Sequence, residues 1–246
     1  MDSPRPWYDT AFEDGYLDVY PHRDLAPARA EVAGLARRGL SGRVLDLGCG
    51  FARHLLALRE HGFDAFGLDR SLALLGRAEP GLRGRLARGD FRALPFRGGA
   101  FDSALMLFSS FGYFDEGENA RVLAELARVL APGGTVVLDL MNPARVKATL
   151  VPESRTRRGA LEILERRWLE RDGTRVVKDV QVRNDDGDER RWREDVRLYE
   201  PGELELLLAE NGLVLTRCEG DFDGRPFTPD ALRQIVWARK RARARD

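Results

Sequence analysis

The sequence predicts an α/β fold: a doubly wound, mostly parallel seven-stranded sheet with helices on both faces, an antiparallel edge strand and a small antiparallel β insert. Three observations carry this expectation. From residue 25 to residue 141, apolar runs of strand length alternate with segments of helical period, the order of a parallel sheet with right-handed crossovers. Within that stretch, residues 44–56 (VLDLGCGFARHLL) read as a buried strand, a glycine turn and a helix. After residue 152 the hydrophobic period shortens to two and Asp-Gly turns appear, the pattern of antiparallel hairpins.

Residues 1–24 concentrate Trp7, Tyr8, Phe12, Tyr16 and Tyr20, and form an aromatic N-terminal cap. Residues 25–39 place Leu25, Ala28, Val32 and Leu35 on one face and stop at Gly39, so a helix precedes the first strand. Val44, Leu45 and Leu47 make that strand, Gly48 and Gly50 permit a tight backbone turn, and residues 52–61 resume at helical spacing. Strands follow at 63–68, 85–88 and 101–107, with a helix capped by Ser71 running to about residue 79. Residues 116–130 are an amphipathic helix with Val122, Leu123, Leu126, Val129 and Leu130 toward the sheet, ended by Pro132-Gly133-Gly134, and 135–141 is a buried strand. The insert, 152–199, holds three strand-like runs, 161–171, 175–183 and 190–199, with one apolar and one charged face. Pro201 opens a helix that Gly212 ends, and 213–218 and 234–239 pair as the antiparallel edge. Residues 25–151 and 200–241 thus form the main domain, and 242–246 a basic tail that reads as a solvated end rather than an RNA-binding arm.

Forty basic and forty acidic residues cancel, so the overall field gives no reason to expect a polyanionic partner such as nucleic acid. Cys49 and Cys218 stand far apart without a C-x-x-C pair, which fits a reducing compartment and argues against a zinc site; no metal is expected. The acidic, aromatic N-terminus lacks the order of a signal peptide and no window has the apolar length of a membrane span, so the expected location is cytoplasmic.

The glycine turn is a small-molecule binding device, because the helix N-terminus behind it faces whatever sits over the glycines. Asp46, two residues before Gly48, would repel a pyrophosphate and favours a ligand that carries positive charge. A dinucleotide fingerprint would also want a third glycine where Arg53 stands. The order of strand, acidic residue, G-x-G and helix, carried by Asp46, Gly48 and Gly50, resembles motif I of the class I S-adenosylmethionine-dependent methyltransferases. The resemblance extends to acids after the second and third strands, the fourth-strand loop, the APGG turn with its strand, and the terminal strand pair. It implies a Rossmann-like methyltransferase fold with S-adenosyl-L-methionine as cofactor. It is also similar to a bacterial small-molecule branch in which an antiparallel insert follows strand five, contributing a substrate cover, a homodimer interface, or both.

In open α/β sheets, ligands bind at the carboxyl ends of the strands, and candidates stand at each one. Asp69 follows strand two, 19 residues after Gly50, where a carboxylate can accept from both ribose hydroxyls. At the end of strand three, the resemblance assigns Asp90 to the adenine amino group and Phe91 to its ring. Cys49, Arg70 and Leu107 complete the cofactor-binding set. Phe108, Phe111 and Tyr113, with Tyr16 and Tyr20 from the cap, are expected to line the substrate. If the cap folds over the cofactor as a lid, Arg23 can pair with the cofactor carboxylate and His22 can accept a substrate proton.

No Ser-His-Asp set or metal cluster can be assigned, and methyl transfer to an amine or acidic hydroxyl does not demand one. Alignment of the nucleophile and exclusion of water supply the acceleration. The expected function is methyl transfer to an N or O nucleophile of a small molecule by in-line displacement. An RNA methyltransferase and a non-catalytic cofactor-binding or interaction protein are the alternatives.

Overall fold

The computed structural model describes residues 5–13, 15–20 and 24–241. Two short helices, α1 (Trp7–Thr10) and α2 (Tyr16–Val19), precede α3 (Leu25–Arg37). The chain continues through β1 (Arg43–Leu47), α4 (Arg53–Glu60), β2 (Asp64–Asp69), α5 (Leu72–Leu75), a 3-10 turn (Pro80–Arg85), β3 (Leu86–Arg88), β4 (Phe101–Met106), α6 (Glu116–Val129) and β5 (Leu130–Met141). After α7 (Pro143–Thr149) come β6 (Glu153–Arg158), β7 (Leu161–Glu170), β8 (Arg175–Arg183) and β9 (Glu189–Arg197). The last elements are α8 (Pro201–Glu210), β10 (Leu213–Glu219) and β11 (Arg233–Lys240).

The main sheet has seven strands in the order β10-β11-β5-β4-β1-β2-β3. The pairs β1 with β2, β1 with β4, β2 with β3 and β4 with β5 are parallel, whereas β11 runs antiparallel to both β5 and β10. The reversed strand therefore lies one place in from the edge, with β10 outermost. Strand order switches direction between β1 and β4, which opens a crevice at their carboxyl ends. Both sheet faces are covered. Val122, Leu123 and Leu126 of α6 with Leu204 and Leu208 of α8 pack on one, and Val32 and Leu35 of α3 with Leu55 and Leu58 of α4 on the other.

Three local features differ from the sequence expectation, each for a physical reason. Pro132-Gly133-Gly134 does not break the chain before β5. It forms an irregularity in the β4–β5 pairing, where the register moves from Phe101 opposite Leu130 to Ser103 opposite Thr135 and Gly133 adopts φ +75°. Helix α5 is a single turn, capped by the Ser71 hydroxyl accepting from the Leu74 amide at 3.1 Å, because Gly76 and Pro80 follow it closely. The insert has a fourth strand: β6, ESRTRR, contains no apolar residue and so gave no period to read, yet it pairs in register with β7.

The four-stranded insert, β6-β7-β8-β9, lays its apolar face on the N-terminal cap, where Ile163, Val180 and Val182 surround Val19 of α2. It also contacts the segment after β4. The Arg197 amide donates to the Gly112 carbonyl at 2.9 Å, and the buried Arg175 guanidinium donates to the Phe114 carbonyl at 3.1 Å.

Candidate functional site

The turn after β1 is built on β2. The Gly48 and Cys49 amides both donate to the Leu68 carbonyl, at 2.8 and 3.2 Å. Gly48, at φ +76°, suits the turn by conformation, and space there is tight, since a Cβ would press on Ser110 at 3.1 Å and the Phe91 ring at 3.3 Å. Ala52 reaches φ +66° without being glycine, and its side chain does not cap α4. The first turn of that helix therefore presents its backbone donors to the space above the glycines.

Three carboxylates surround this turn in different states. Asp46 is 1% exposed and its Oδ2 has no hydrogen-bond partner among the described residues. Burial pushes its carboxyl up to about 7, against the pull of Arg53 and with a further push from Asp69. Asp69 accepts from the Gly50 amide through Oδ2 and from the Ser71 amide through Oδ1, both at 2.8 Å. Burial raises its carboxyl too, and those amides oppose the rise. Asp90 is held below the usual carboxylate range, chiefly by Arg92. It accepts from Arg70 Nη1 at 2.7 Å, and from the Arg92 amide, Nε and Nη2 at 2.9, 2.9 and 2.7 Å, which fills the acceptor positions of one carboxylate.

These groups open into a cavity of about 880 Å³, its mouth included. The segment after β4 forms one wall. Phe108 and Ser109 hold φ of +55° and +57°, a left-handed pair that a buried clamp maintains. Asp139 accepts the Phe108 amide on its carboxylate at 2.8 Å and the Ser109 amide on its carbonyl at 2.9 Å, while Arg233 donates to both carboxylate oxygens at 3.0 and 2.8 Å. The guanidinium of Arg53 lies 4.2 Å from the Phe108 ring centre and that of Arg233 lies 4.6 Å from it. Ser110 is buried against the cavity with its hydroxyl unpartnered among the described residues.

The cap roofs the cavity with rings. Phe12 stacks on Tyr113 at 5.8 Å and contacts Tyr16 at 5.1 Å. Arg70 pairs with Asp9 of α1, and the Ser71 hydroxyl donates to the Phe12 carbonyl at 2.6 Å.

Of the residues singled out from the sequence, Gly48, Cys49, Gly50, Asp69, Arg70, Asp90, Phe91 and Leu107 converge on this cavity, as do Tyr16, Phe108 and Tyr113. Asp46 lies buried beside the turn. Two expected substrate residues stand elsewhere. Phe111 is 1% exposed and stacks on Tyr199 at 5.3 Å, because the chain turns inward before Gly112 at φ +102°. Tyr20 turns away to the insert, where its hydroxyl donates to Glu194 at 2.7 Å beside Lys178. His22 and Arg23 lie outside the described residues. Sequence reasoning missed Arg53 and His54, both lining the cavity, although their place in the first turn after the glycines was the available signal. It also missed Ser110 and Phe114, which no pattern marks.

A methyltransferase-domain family matches residues 44–134. Cypemycin N-terminal methyltransferase from a Streptomyces species is 29% identical over 252 residues, covering 96% of this chain and 98% of that protein. Other curated methyltransferases match this chain over about half of their own length. Among solved structures, the CcbJ methyltransferase of Streptomyces caelestis superposes with a TM-score of 0.75 at 21% identity over 87% of this chain and 94% of that one. CalS10, an amino pentose methyltransferase from Micromonospora echinaspora solved with S-adenosylmethionine bound, gives 0.65 at 22% identity over 98% and 99%. The methyltransferase domain at residues 44–134 and the methyltransferase similar to the chain over nearly its whole length support a class I S-adenosylmethionine-dependent methyltransferase. The chain is an enzyme, and S-adenosyl-L-methionine is its cofactor.

The residues present fit that cofactor. The orphaned Asp46 oxygen lies in a buried position that a positively charged group would satisfy. Asp69 keeps lone pairs beyond its two backbone donors, and the cradle at Gly48 is one that a Cβ would fill.

Proposed function

We propose that this enzyme methylates an amine nitrogen of a small molecule by in-line displacement. The observation that carries the reading is the roof and wall of the cavity beyond the glycine turn, where Phe12, Tyr16, Phe108 and Tyr113 supply aromatic faces. Such faces favour cationic groups, and both a sulfonium and an amine acceptor are cationic at neutral pH. The relatives named for an N-terminal and an amino sugar acceptor support the same choice. A small acceptor is favoured over RNA because Arg70, which lines the cavity, is matched with acids, Asp9 and Asp90, instead of joining an open basic track.

When bound, the cofactor supplies an activated methyl group on a sulfonium. Asp69 holds the ribose hydroxyls through its remaining lone pairs, and Phe91 packs on the adenine. Asp90, filled by arginine donors, acts by fixing Arg70 and Arg92 at the adenine edge instead of bonding the base itself. Asp46, buried behind the turn, would favour the ammonium of the amino-acid end through its charge. The open first turn of α4, with Arg53, faces the carboxylate. The aromatic roof excludes water and holds the acceptor nitrogen behind the methyl carbon.

Calorimetry with S-adenosylhomocysteine and transfer of labelled methyl to a panel of amino sugars, amino acids, short peptides, phenols and bulk RNA test this reading. Wild-type protein should bind the product cofactor, and Asp69→Ala should weaken that binding on the order of 100-fold, two charge-assisted hydrogen bonds at about 1.5 kcal/mol each. Label should enter amines. Label entering only phenols or RNA would sink the proposal.

A further inference from the structure

The turn after β4 holds a conformation that its own residues resist. Phe108 and Ser109 sit at φ +55° and +57°, where a Cβ crowds the following carbonyl and where glycine or asparagine is the usual occupant. Glycine at position 108 would adopt this φ without strain, but it would remove the ring that walls the cavity. Keeping a side chain there means that the surroundings must impose the turn.

The constraint comes from two other strands. Asp139 of β5 accepts both amides of the pair, Phe108 on its carboxylate at 2.8 Å and Ser109 on its carbonyl at 2.9 Å. Asp139 is itself fully buried, and Arg233 donates to both of its carboxylate oxygens, at 3.0 and 2.8 Å. The reversed strand explains how this cation reaches the turn. Because β11 runs antiparallel to β5, with Arg233 opposite Met141 and Ile235 opposite Asp139, the first residue of β11 falls at the carboxyl end of β5. Residues two apart on a strand share a face, so the Arg233 guanidinium meets Asp139 on the diagonal. It also lies 4.6 Å from the Phe108 ring centre. One side chain therefore fixes Phe108 twice, at its ring directly and at its amide through Asp139.

We propose that Arg233 and Asp139 are positioning residues for methyl transfer: acting through the turn at Phe108 and Ser109, they hold the Phe108 ring where it keeps the acceptor in line with the methyl group. The inference rests on the amine reading above, which sets the acceptor nitrogen against the aromatic wall. In-line displacement needs that nitrogen behind the methyl carbon, and a misplacement of about 1 Å can cost on the order of 100-fold. A turn that relaxes out of the left-handed region carries its ring away from the acceptor. The glycine turn and Asp69, which stand on β1 and β2, stay in place. Loss of the clamp should therefore lower turnover and spare cofactor binding.

The test is kcat and KM with the best amine of the panel, alongside S-adenosylhomocysteine affinity by calorimetry, for wild type, Arg233→Lys, Arg233→Met and Arg233→Met combined with Ser109→Gly. Urea unfolding checks that each protein is folded under assay conditions. Arg233→Lys keeps the charge of the buried pair without the fork that bonds both oxygens, so it should fold and lose about tenfold in kcat. Arg233→Met should lose on the order of 100-fold in kcat, more than KM changes, with S-adenosylhomocysteine affinity within about twofold of wild type. Glycine at position 109 takes the left-handed conformation unaided, so the double variant should recover at least about fivefold of that loss. Should Arg233→Met fail to fold, Arg233→Lys with and without Ser109→Gly carries the same comparison. Folded Arg233 variants that turn over at the wild-type rate overturn the inference and leave the amine reading standing. A fall in kcat that parallels a fall in cofactor affinity, or that Ser109→Gly does not relieve, overturns it too, since a clamp that only stabilised the fold would behave so. Wild type that binds S-adenosylhomocysteine and methylates no amine removes the amine reading and this inference together.

Discussion

Asp46 shows how one residue links the electrostatics of the turn to its ligand. In the unfolded chain its carboxyl ionises near 3.8, whereas in the fold burial holds the proton to about 7. Between those values the folded state carries the extra proton, so stability falls as pH rises, by at most about 1.4 kcal/mol per unit, and levels off above 7. On the reading proposed above, a ligand ammonium beside the turn reverses this preference, because the complex favours the carboxylate. Below pH 7, binding of S-adenosylhomocysteine should therefore expel a proton from Asp46 and tighten by up to about tenfold per pH unit. Calorimetry at pH 6 in buffers of different ionisation enthalpy should report about one proton released by wild type and none by Asp46→Asn. Equal release by both would remove Asp46 from the ligand's surroundings.

At the scale of elements, the segment after β4 is set by a clamp drawn from two distant strands. Asp139 of β5 is fully buried and accepts from the Phe108 amide, and Arg233 of β11 supplies the compensating charge. Removing the guanidinium leaves a buried anion, so Arg233→Met should destabilise the fold by roughly 3 kcal/mol in urea unfolding at neutral pH. Burial already raises the Asp139 carboxyl against the pull of Arg233, so without that pull it rises further. The variant then escapes the penalty at low pH, where a neutral acid sits in the pocket, and the cost grows as pH rises. A cost that is flat from pH 5 to pH 8 would show that the pair does not act this way. Such a clamp is what the sequence conceals. The glycine turn and Asp69 were legible because their geometry is local: strand, turn and a carboxylate at the next strand end. Arg233 and Asp139 meet across 94 residues, and nothing in either neighbourhood announces the other. Phe111 misled for a related reason, since an apolar loop has no period to say which rings face the ligand and which the core. Strand β6 was invisible because pairing with β7, and not burial, makes it a strand.

Over the whole molecule, the insert and the cofactor cavity are coupled through the cap. The insert grips α2 by burying Val19 among Ile163, Val180 and Val182, by the Arg158 donor to the Val19 carbonyl at 2.6 Å, and by Tyr20 on Glu194. On its other side the cap is tied to the core through the Arg70 pair with Asp9 and the Ser71 bond to Phe12, directly over the cavity. Its rings roof the space in which the cofactor must be enclosed, so the grip of the insert should govern how fast the roof opens. Weakening the grip should speed opening more than it perturbs the core, whose sheet and helices contribute nothing to it. The double variant Val19→Ser with Tyr20→Phe should release S-adenosylhomocysteine on the order of ten times faster, equivalent to about 1.4 kcal/mol. Trp7, in ring contact with Tyr113 at 4.8 Å, supplies the fluorescence for a stopped-flow measurement. Arg166→Ala, on the opposite and exposed face of the insert, should release the ligand at the wild-type rate. If the double variant also matches wild type, the cap closes without the insert, and the grip on α2 is packing alone.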